Sequence, residues 1–501
     1  MKSIFERIDE IVKENGCVPQ GYVLEDALKP GEIPSVHMGE QEGLIGRPVK
    51  PVKREVLLKA VNMIKESLKI NARLAVHSFD DNNLGFRVAD IRGQLLKHIV
   101  DNIKDYDPHK LSTLAYSLVI FGKKLETVKL GLLLLVLFNF SDDEVVKKHL
   151  ITLGLYEEFT SYVISNVAGW PKQTSDHVYY VYAQRLTGWG KINAMERIEP
   201  INDEVKEWIL CHGCSNDISY GYLGKTAYEK SGLEERLLKG NLTSEEMQGA
   251  RDIMRGLLTG GGTGGLLDLE QPAKLTKAYL NEQVSHTVRL EDISNMYELR
   301  KFLLNWDKQG KNEDAEASLK LIERILSLSD AEEMIREGLL YDPDIAVCAA
   351  RDGSIDVSDE LLRLTREDFR RYFAFASYFL KDERRVGDYI DICEEKLNGR
   401  DFDVIVTDQE NVEVNTWRLD QILKYLGRYP GMGSKIVVTA MGSAIPMYRS
   451  AAADVIGQWE ELQKKNIKKI SPEVFHSLKK VRKKESDGDL KKRWDELADY
   501  K

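Results

Sequence analysis

Residues 89–103 read ADIRGQLLKHIVDNI, and their apolar side chains recur at intervals of three and four positions. That interval matches the 3.6-residue turn of an α-helix, so the segment predicts a helix with one apolar face. The same pattern fills EVLLKAVNMIKESL at 55–68 and LSTLAYSLVIF at 111–121. Short breaks such as FGKK and FSDD separate such segments, and the alternation typical of strands is nearly absent. The pattern predicts an all-α fold.

One segment departs from this pattern. Residues 403–414, DVIVTDQENVEV, alternate apolar and polar side chains. We expect at most one small β-hairpin here, with strands at 403–407 and 411–414.

The composition sets limits on the class of protein. Of 501 residues, 43% are hydrophobic and 30% are charged, which permits a large core and excludes global disorder. A net charge of −10 argues against a nucleic-acid-binding protein. The cysteines are too sparse for a disulfide framework, so we expect a cytoplasmic protein with reduced thiols. They are Cys17, Cys211, Cys214, Cys348 and Cys393.

No membrane span or signal peptide is expected. The most apolar run, LGLLLLVLF at 130–138, is about nine residues long, whereas a bilayer requires roughly 20. We interpret it as a buried core helix. The first residues, MKSIFERIDEIVKENG, lack the apolar region of a signal peptide.

Many helices of similar length indicate either a bundle or an array of stacked helix pairs. Trp170, Trp189 and Trp208 are 19 residues apart, and two such steps approach the length of a HEAT-type repeat. Residues 445–459, IPMYRSAAADVIGQW, resemble the second helix of such a repeat, with Pro446 at its start. We therefore predict an irregular, HEAT-like α-solenoid of stacked helix pairs.

The chain divides into five predicted regions. The ranges are an N-terminal helix and Pro-rich irregular arm at 1–53, a helical-repeat block at 54–258, a Gly-rich linker at 259–266, a second block at 267–462, and a basic helical tail at 463–501. Residues 464–493 hold twelve Lys or Arg and four Asp or Glu, a surplus of eight positive charges. Because the whole chain carries −10, the residues outside 464–493 together carry −18. Such a tail either binds an acidic surface or folds back on its own protein.

Gly260, Gly262 and Gly265 formally match the dinucleotide fingerprint G-x-G-x-x-G. That motif needs a preceding strand, whereas RDIMRGLLT before it is typical of a helix. The glycines are weak candidates for cofactor binding, and we favour a hinge between helical blocks.

The metal candidates are also weak. Cys211 and Cys214 form the one C-x-x-C pair, which can chelate zinc only with two further ligands, and no second pair exists. Glu473 and His476 have the E-x-x-H spacing found in di-iron sites. Such a site needs a second E-x-x-H motif, and the sequence has none. We therefore expect no metal site, and we find no haem or flavin motif. Aromatic residues of the middle block either line an apolar pocket or pack in the core. They are Trp189, Trp208, Tyr220, Tyr222 and Tyr228.

Residues 126–170, ETVKLGLLLLVLFNFSDDEVVKKHLITLGLYEEFTSYVISNVAGW, and 186–214, LTGWGKINAMERIEPINDEVKEWILCHGC, resemble bacterial proteins named limonene hydroxylase. The resemblance is strongest from about Leu125 to Leu237. It implies a monooxygenase that converts the cyclic monoterpene limonene to carveol and perillyl alcohol, using dioxygen and NAD(P)H. It assigns no catalytic residue.

Two functions are therefore expected, and they belong to different classes. The first is the limonene hydroxylase implied by the resemblance, acting on a small apolar substrate. The second is a non-enzymatic cytoplasmic α-solenoid scaffold that binds a protein partner on its concave face. A tightly bound chromophore or metal would favour the enzyme.

Overall fold

The fold is all-α, as predicted. The computed structural model describes residues 2–24, 39, 53–81, 84–200, 202–306, 312–375, 378, 383–397, 422–443 and 445–499. Across these ranges the backbone forms helices, turns and irregular connections and contains no strand. The predicted hairpin at 403–414 and most of the Pro-rich arm lie outside the described residues.

The chain forms two compact units. Unit 1 comprises Met1–His286 and Lys311–Ser318, and unit 2 comprises Thr287–Gly310 and Leu319–Lys501. The division thus falls after His286 and not at the predicted linker 259–266. The glycine segment lies inside unit 1, because its backbone packs directly against other glycine backbone in that unit, as described below.

Unit 1 is built from helices of seven to sixteen residues joined by short turns. Its α-helices are Ile4–Asn15, Arg54–Ser67, Ala72–Asp81, Val88–Asp101, Pro108–Phe121, Leu125–Leu135, Glu144–Leu153, Glu157–Val167, Lys172–Arg185, Trp189–Arg197, Asp203–His212, Gly224–Ser231, Leu233–Lys239, Ser244–Thr259 and Pro272–Gln283. Short 3₁₀ turns cover Ile103–Asp105, Tyr220–Tyr222 and Leu266–Asp268.

Unit 2 has the same local organisation. Its α-helices are Leu290–Trp306, Ala331–Tyr341, Pro343–Gly353, Ser358–Glu367, Phe369–Tyr372, Glu383–Lys396, Ser434–Met441, Pro446–Gln463, Ile467–Ile470, Pro472–Val481 and Gly488–Asp499. A 3₁₀ turn covers Phe373–Phe375. The helix Glu313–Leu328 has its first residues in unit 1 and the remainder in unit 2.

Local signals in the sequence set where helices begin. Thr243 caps the helix Ser244–Thr259 by accepting a hydrogen bond from the Glu246 N–H, and the Glu246 carboxylate accepts from the Thr243 N–H at 2.7 Å. This reciprocal capping box satisfies two backbone donors that the helix itself leaves free. Pro446 stands at the start of the helix Pro446–Gln463, where the lack of an N–H costs nothing.

Helices pack on their neighbours along the chain. In unit 1 the helix Leu125–Leu135 contacts the preceding helix Pro108–Phe121 and also Glu157–Val167, the next helix but one. The helix Trp189–Arg197 likewise contacts Lys172–Arg185 and Glu157–Val167. Packing between successive helices is typical of helical-repeat proteins, and the HEAT-like solenoid stays a prediction.

The first part of the most apolar run, 130–135, is a buried helix as predicted, whereas 136–138 form a half-buried turn. All but one of the residues of Leu125–Leu135 are buried, and the one lysine among them, Lys129, is 3% exposed. Its Nζ lies 2.6 Å from Oε2 of Glu158, and this ion pair lets a charge lie within an apolar helix. None of the described helices combines the length and apolarity that a bilayer crossing requires.

Unit 2 has its own core, in which tryptophans are hydrogen-bonded as well as buried. Trp459 and Trp494 are fully buried, and the indole N–H of Trp459 donates to the Leu426 carbonyl at 2.7 Å. The Trp494 N–H donates to the Glu485 carboxylate, which also binds Arg449 at 2.9 and 3.0 Å. This network joins three helical segments near the C-terminus.

Candidate functional site

A cleft in unit 1 brings together three separate parts of the chain. Its volume is about 430 Å³, within the range of about 300–1,000 Å³ typical of small-molecule sites. It is lined by Trp189, Ile218, Ser219, Tyr222 and Gly260–Gly262. The sequence had singled out Trp189, Tyr222 and the glycines separately, but nothing in it placed them together.

Glu157 fixes the position of Trp189. Its two carboxylate oxygens accept hydrogen bonds from the backbone N–H groups of Gly188, at 2.9 Å, and Gly190. These donors belong to the start of the helix Trp189–Arg197, where helices leave N–H groups unsatisfied and favour negative charge. Burial raises the pKa of Glu157, and the backbone donors oppose that rise.

An aromatic pair forms one wall of the cleft. The rings of Trp189 and Tyr222 meet edge to face, with centroids 4.9 Å apart and an interplanar angle of 63°. Trp189 is only 4% exposed, and its indole N–H has no hydrogen-bond partner among the residues that the structure describes. The exposed part of this wall is therefore mainly the half-buried Tyr222 ring.

A second wall is held by the side-chain amide of Asn216. Its Oδ1 accepts from the N–H groups of Ile218 and Ser219 at 2.9 and 2.8 Å. Its Nδ2 donates to the carbonyls of Cys214 and Ser219 at 2.9 and 3.0 Å. Four hydrogen bonds from one side chain thus order the loop that carries Ile218 and Ser219 to the cleft.

Glycine backbone forms the third wall, and two of its residues differ in what they require. A β-carbon on Gly261 would lie 2.6 Å from the carbonyl carbon of Gly221 and closer still to its oxygen, so only glycine fits there. A β-carbon on Gly262 would lie 3.7 Å from the Tyr222 ring, an ordinary contact that fills cleft space. Gly260 adopts φ +62°, which favours glycine.

The glycines do not fit a dinucleotide cofactor. They follow the helix Ser244–Thr259 and precede only the three-residue 3₁₀ turn Leu266–Asp268, so neither the strand nor the long helix of that motif is present. Gly265 does not line the cleft, and its N–H already donates to the Asp268 carboxylate at 2.6 Å.

The cysteine pair does not fit a metal site. Cys214 is 1% exposed and its Sγ donates to the carbonyl of Asp252 at 3.2 Å. Burial raises the pKa of Cys214, and burial with nearby Glu245 raises the pKa of Cys211 to about 11. A zinc site would need two further ligands beside this pair. In the described part of the chain, no three or more His, Cys, Asp and Glu side chains are grouped to hold a metal.

Lys191 is a buried cation that sequence reasoning missed. It lies two residues after Trp189, is 6% exposed, and donates from Nζ to the His212 carbonyl at 3.0 Å. Its Nζ is also 5.7 Å from the centroid of the Trp208 ring. Burial lowers the pKa of Lys191 to about 8. Nothing in the local sequence WGKIN distinguishes this lysine from an exposed one.

The other aromatic residues of the middle block pack away from the cleft. Trp208 meets Tyr180 edge to face at 5.2 Å, and the Arg255 guanidinium lies 4.8 Å from the Tyr220 ring. The Tyr228 hydroxyl donates to Glu234 at 2.9 Å. These three aromatics therefore support the fold around the cleft.

A second depression, of about 610 Å³, lies in unit 2 and is more open. It is lined by Tyr297, Leu326, Asp330–Glu333, Arg336 and Ile355. Its arginine is already bound to Glu332, at 2.8 Å, and to Glu360. We therefore take the unit 1 cleft, with its aromatic wall, as the candidate site.

No protein-family model, no curated protein and no solved structure matches this chain. Function is therefore inferred from the cleft itself.

Proposed function

We propose that this protein binds a small, mostly apolar molecule in the unit 1 cleft. The observation that carries the proposal is that the buried Trp189 ring, the half-buried Tyr222 ring and the backbone of Gly260–Gly262 line one cleft of about 430 Å³. Aromatic rings and apolar side chains dominate the walls of small-molecule sites, and a few backbone groups orient the ligand.

Limonene is the ligand that the resemblance favours. The resembling stretch, about 125–237, contains Glu157, Trp189, Asn216 and Tyr222, which form or order two of the three walls. Burying a ten-carbon hydrocarbon at roughly 0.8 kcal/mol per methylene supplies several kcal/mol of binding free energy.

Oxidation of limonene needs more than this binding. Hydroxylation of a hydrocarbon requires a cofactor that activates oxygen. The glycine segment and the cysteine pair do not fit a nicotinamide nucleotide or a metal, as described above. We therefore propose that this chain binds and orients the substrate and that a separate redox component, supplied with NAD(P)H, provides the oxidant.

Binding is tested by the loss of limonene from the vapour above a protein solution. The wild-type chain should retain limonene, and Gly262→Ala should weaken that retention roughly tenfold, since its added methyl group occupies cleft space beside Tyr222. Gly93→Ala is the matched control, because a β-carbon there meets nothing within 4 Å. Equal retention by the two variants would contradict the site.

Turnover is tested separately with purified protein, limonene, NADH and oxygen. We expect carveol or perillyl alcohol only when a reductase system is added. Sustained product formation by metal-free, flavin-free protein alone would overturn the proposal that a separate redox component provides the oxidant.

The alternative proposal is a non-enzymatic scaffold that binds a protein partner. The packing of the helix Leu125–Leu135 on Pro108–Phe121 and on Glu157–Val167 supports it, because stacked helices build extended binding surfaces. Absence of both limonene retention and supplemented turnover would favour this second function.

A further inference from the structure

The C-terminal part of unit 2 carries a dense set of exposed lysines, which we call the lysine surface. Its members are Lys464, Lys465, Lys468, Lys469, Lys479, Lys480, Lys483, Lys484, Lys491 and Lys492. They lie on or beside the helices Ile467–Ile470, Pro472–Val481 and Gly488–Asp499, and each of these helices packs on the next. The charges are thus held together on a folded part of the molecule.

The lysines of this surface lack acidic partners in the described part of the chain. Among the described residues none of the ten lysines forms an ion pair, whereas the arginines nearby do. Arg482 lies 3.9 Å from Asp495, and Arg493 binds Asp454. The buried Glu485 is bound by Arg449. The arginines are therefore engaged, and the free positive charge belongs to lysines.

Exposed apolar side chains flank this surface. Leu462 is 59% exposed and lies two residues before Lys464. Met432 is 36% exposed. It follows Gly431, whose backbone lies close to the helix Ile467–Ile470, because a β-carbon added at Gly431 would be 3.3 Å from the Ile470 carbonyl oxygen. Lysines and exposed apolar side chains therefore occupy the same neighbourhood.

We propose that the lysine surface adsorbs to anionic lipid membranes. Clusters of four to eight basic residues bind anionic headgroups through diffuse attraction, and neighbouring apolar side chains enter the interface. The remainder of the chain carries −18, so the surplus of positive charge that an anionic membrane attracts is confined to this part of the sequence. The proposal is independent of the cleft and of its ligand.

Lipid fits this surface better than nucleic acid does. Phosphate and base recognition relies heavily on arginine forks and on aromatic stacking. Here the arginines are paired, and the half-buried ring of Phe475 is covered by the Lys479 ammonium, 4.5 Å from its centroid.

The experiment is co-sedimentation of the full-length protein with lipid vesicles. We expect binding to phosphatidylcholine vesicles that contain phosphatidylglycerol, weak binding to pure phosphatidylcholine, and release at high salt, which screens the attraction. The variant Lys468→Gln/Lys469→Gln should bind roughly fivefold more weakly for each lysine neutralised. Leu462→Ser should release at lower salt than the wild-type protein.

The matched control is Lys59→Gln/Lys104→Gln, which removes two exposed lysines from unit 1 and should leave binding unchanged. Equal binding to neutral and anionic vesicles would overturn the proposal, as would equal losses in the two double variants. Displacement of bound vesicles by a short DNA duplex at equimolar charge would replace lipid with nucleic acid as the partner.

Discussion

Gly261 and Gly262 are neighbours in sequence with different roles, one in packing and the other in cleft space. Gly261→Ala places a methyl group against the Gly221 carbonyl and should cost about 1–3 kcal/mol of unfolding free energy. The methyl group of Gly262→Ala meets only the Tyr222 ring, at ordinary distance. This variant should change the unfolding free energy by less than about 0.5 kcal/mol. Urea denaturation of both variants checks this prediction. Equal stabilities would mean that the two glycine backbones are not in contact.

Lys191 gives stability a definite pH dependence. Its pKa is lowered by burial from 10.5 to about 8, so between these values the folded chain holds fewer protons than the unfolded chain. Its contribution to the unfolding free energy is therefore lowest below about pH 8 and rises as the pH approaches 10.5, by up to about 3 kcal/mol.

The measurement compares the wild-type protein with Lys191→Met by urea denaturation across that pH range. Other titrating groups are common to both proteins, so the difference in unfolding free energy isolates Lys191. A difference that stays constant from pH 7 to pH 10.5 would show that the buried lysine is not perturbed.

The sequence singled out several residues that line the cleft, but the reason for singling them out was not the contact that places them there. The G-x-G-x-x-G spacing drew attention to Gly260 and Gly262, which do line the cleft. They lie there because Gly261 packs on Gly221, some 40 residues away, and no local spacing reports such a contact. Glu157 and Asn216 were missed because ordinary polar residues give no local sign of a buried role.

The helix Trp189–Arg197 begins under the control of a side chain from another helix. Glu157→Gln replaces one accepting oxygen by an amide that faces a backbone N–H, so we expect a loss of about 1–3 kcal/mol. Trp189 should lose its fixed orientation, seen as a weaker near-ultraviolet circular dichroism signal. Glu144→Gln, in the first turn of another helix and 83% exposed, is the control and should change little.

Helix positions were the most predictable feature of the chain. The segments at 89–101, 111–121 and 446–459 are α-helical, because periodic apolar side chains and an initial proline act locally. The first of these helices ends two residues earlier than predicted. The 19-residue tryptophan spacing does not mark equivalent positions. Trp170 follows the end of a helix, Trp189 begins one, and Trp208 lies within one.

For the molecule as a whole, the division into two units predicts unfolding in more than one step. Each unit has its own buried core, so calorimetry should resolve two transitions, or a calorimetric enthalpy above the van't Hoff value. Gly261→Ala should lower the midpoint of only one transition, since both contacting glycines lie in unit 1. A single two-state transition that shifts as a whole would contradict this prediction.

The all-α class followed from the sequence, but the boundary between the units and the cleft did not. Six glycine or threonine residues in succession at 260–265 look like a linker, because glycine also gives flexible chain. In the structure the same lack of side chains allows close backbone packing within unit 1. Whether a glycine run is a flexible linker or a site of close packing depends on contacts with residues far away in the sequence, and the sequence alone does not report them.

Alkylation of the two most buried thiols reports when each unit opens. Cys214 lies in unit 1 and Cys393 in unit 2, and they are 1% and 0% exposed. Burial raises the pKa of both thiols, so neither reacts with an alkylating reagent until its surroundings open. Cys17, Cys211 and Cys348 are partly exposed, so we expect them to be modified first. Peptide mass spectrometry during alkylation therefore times the opening of each unit separately, with no dye and no mutation.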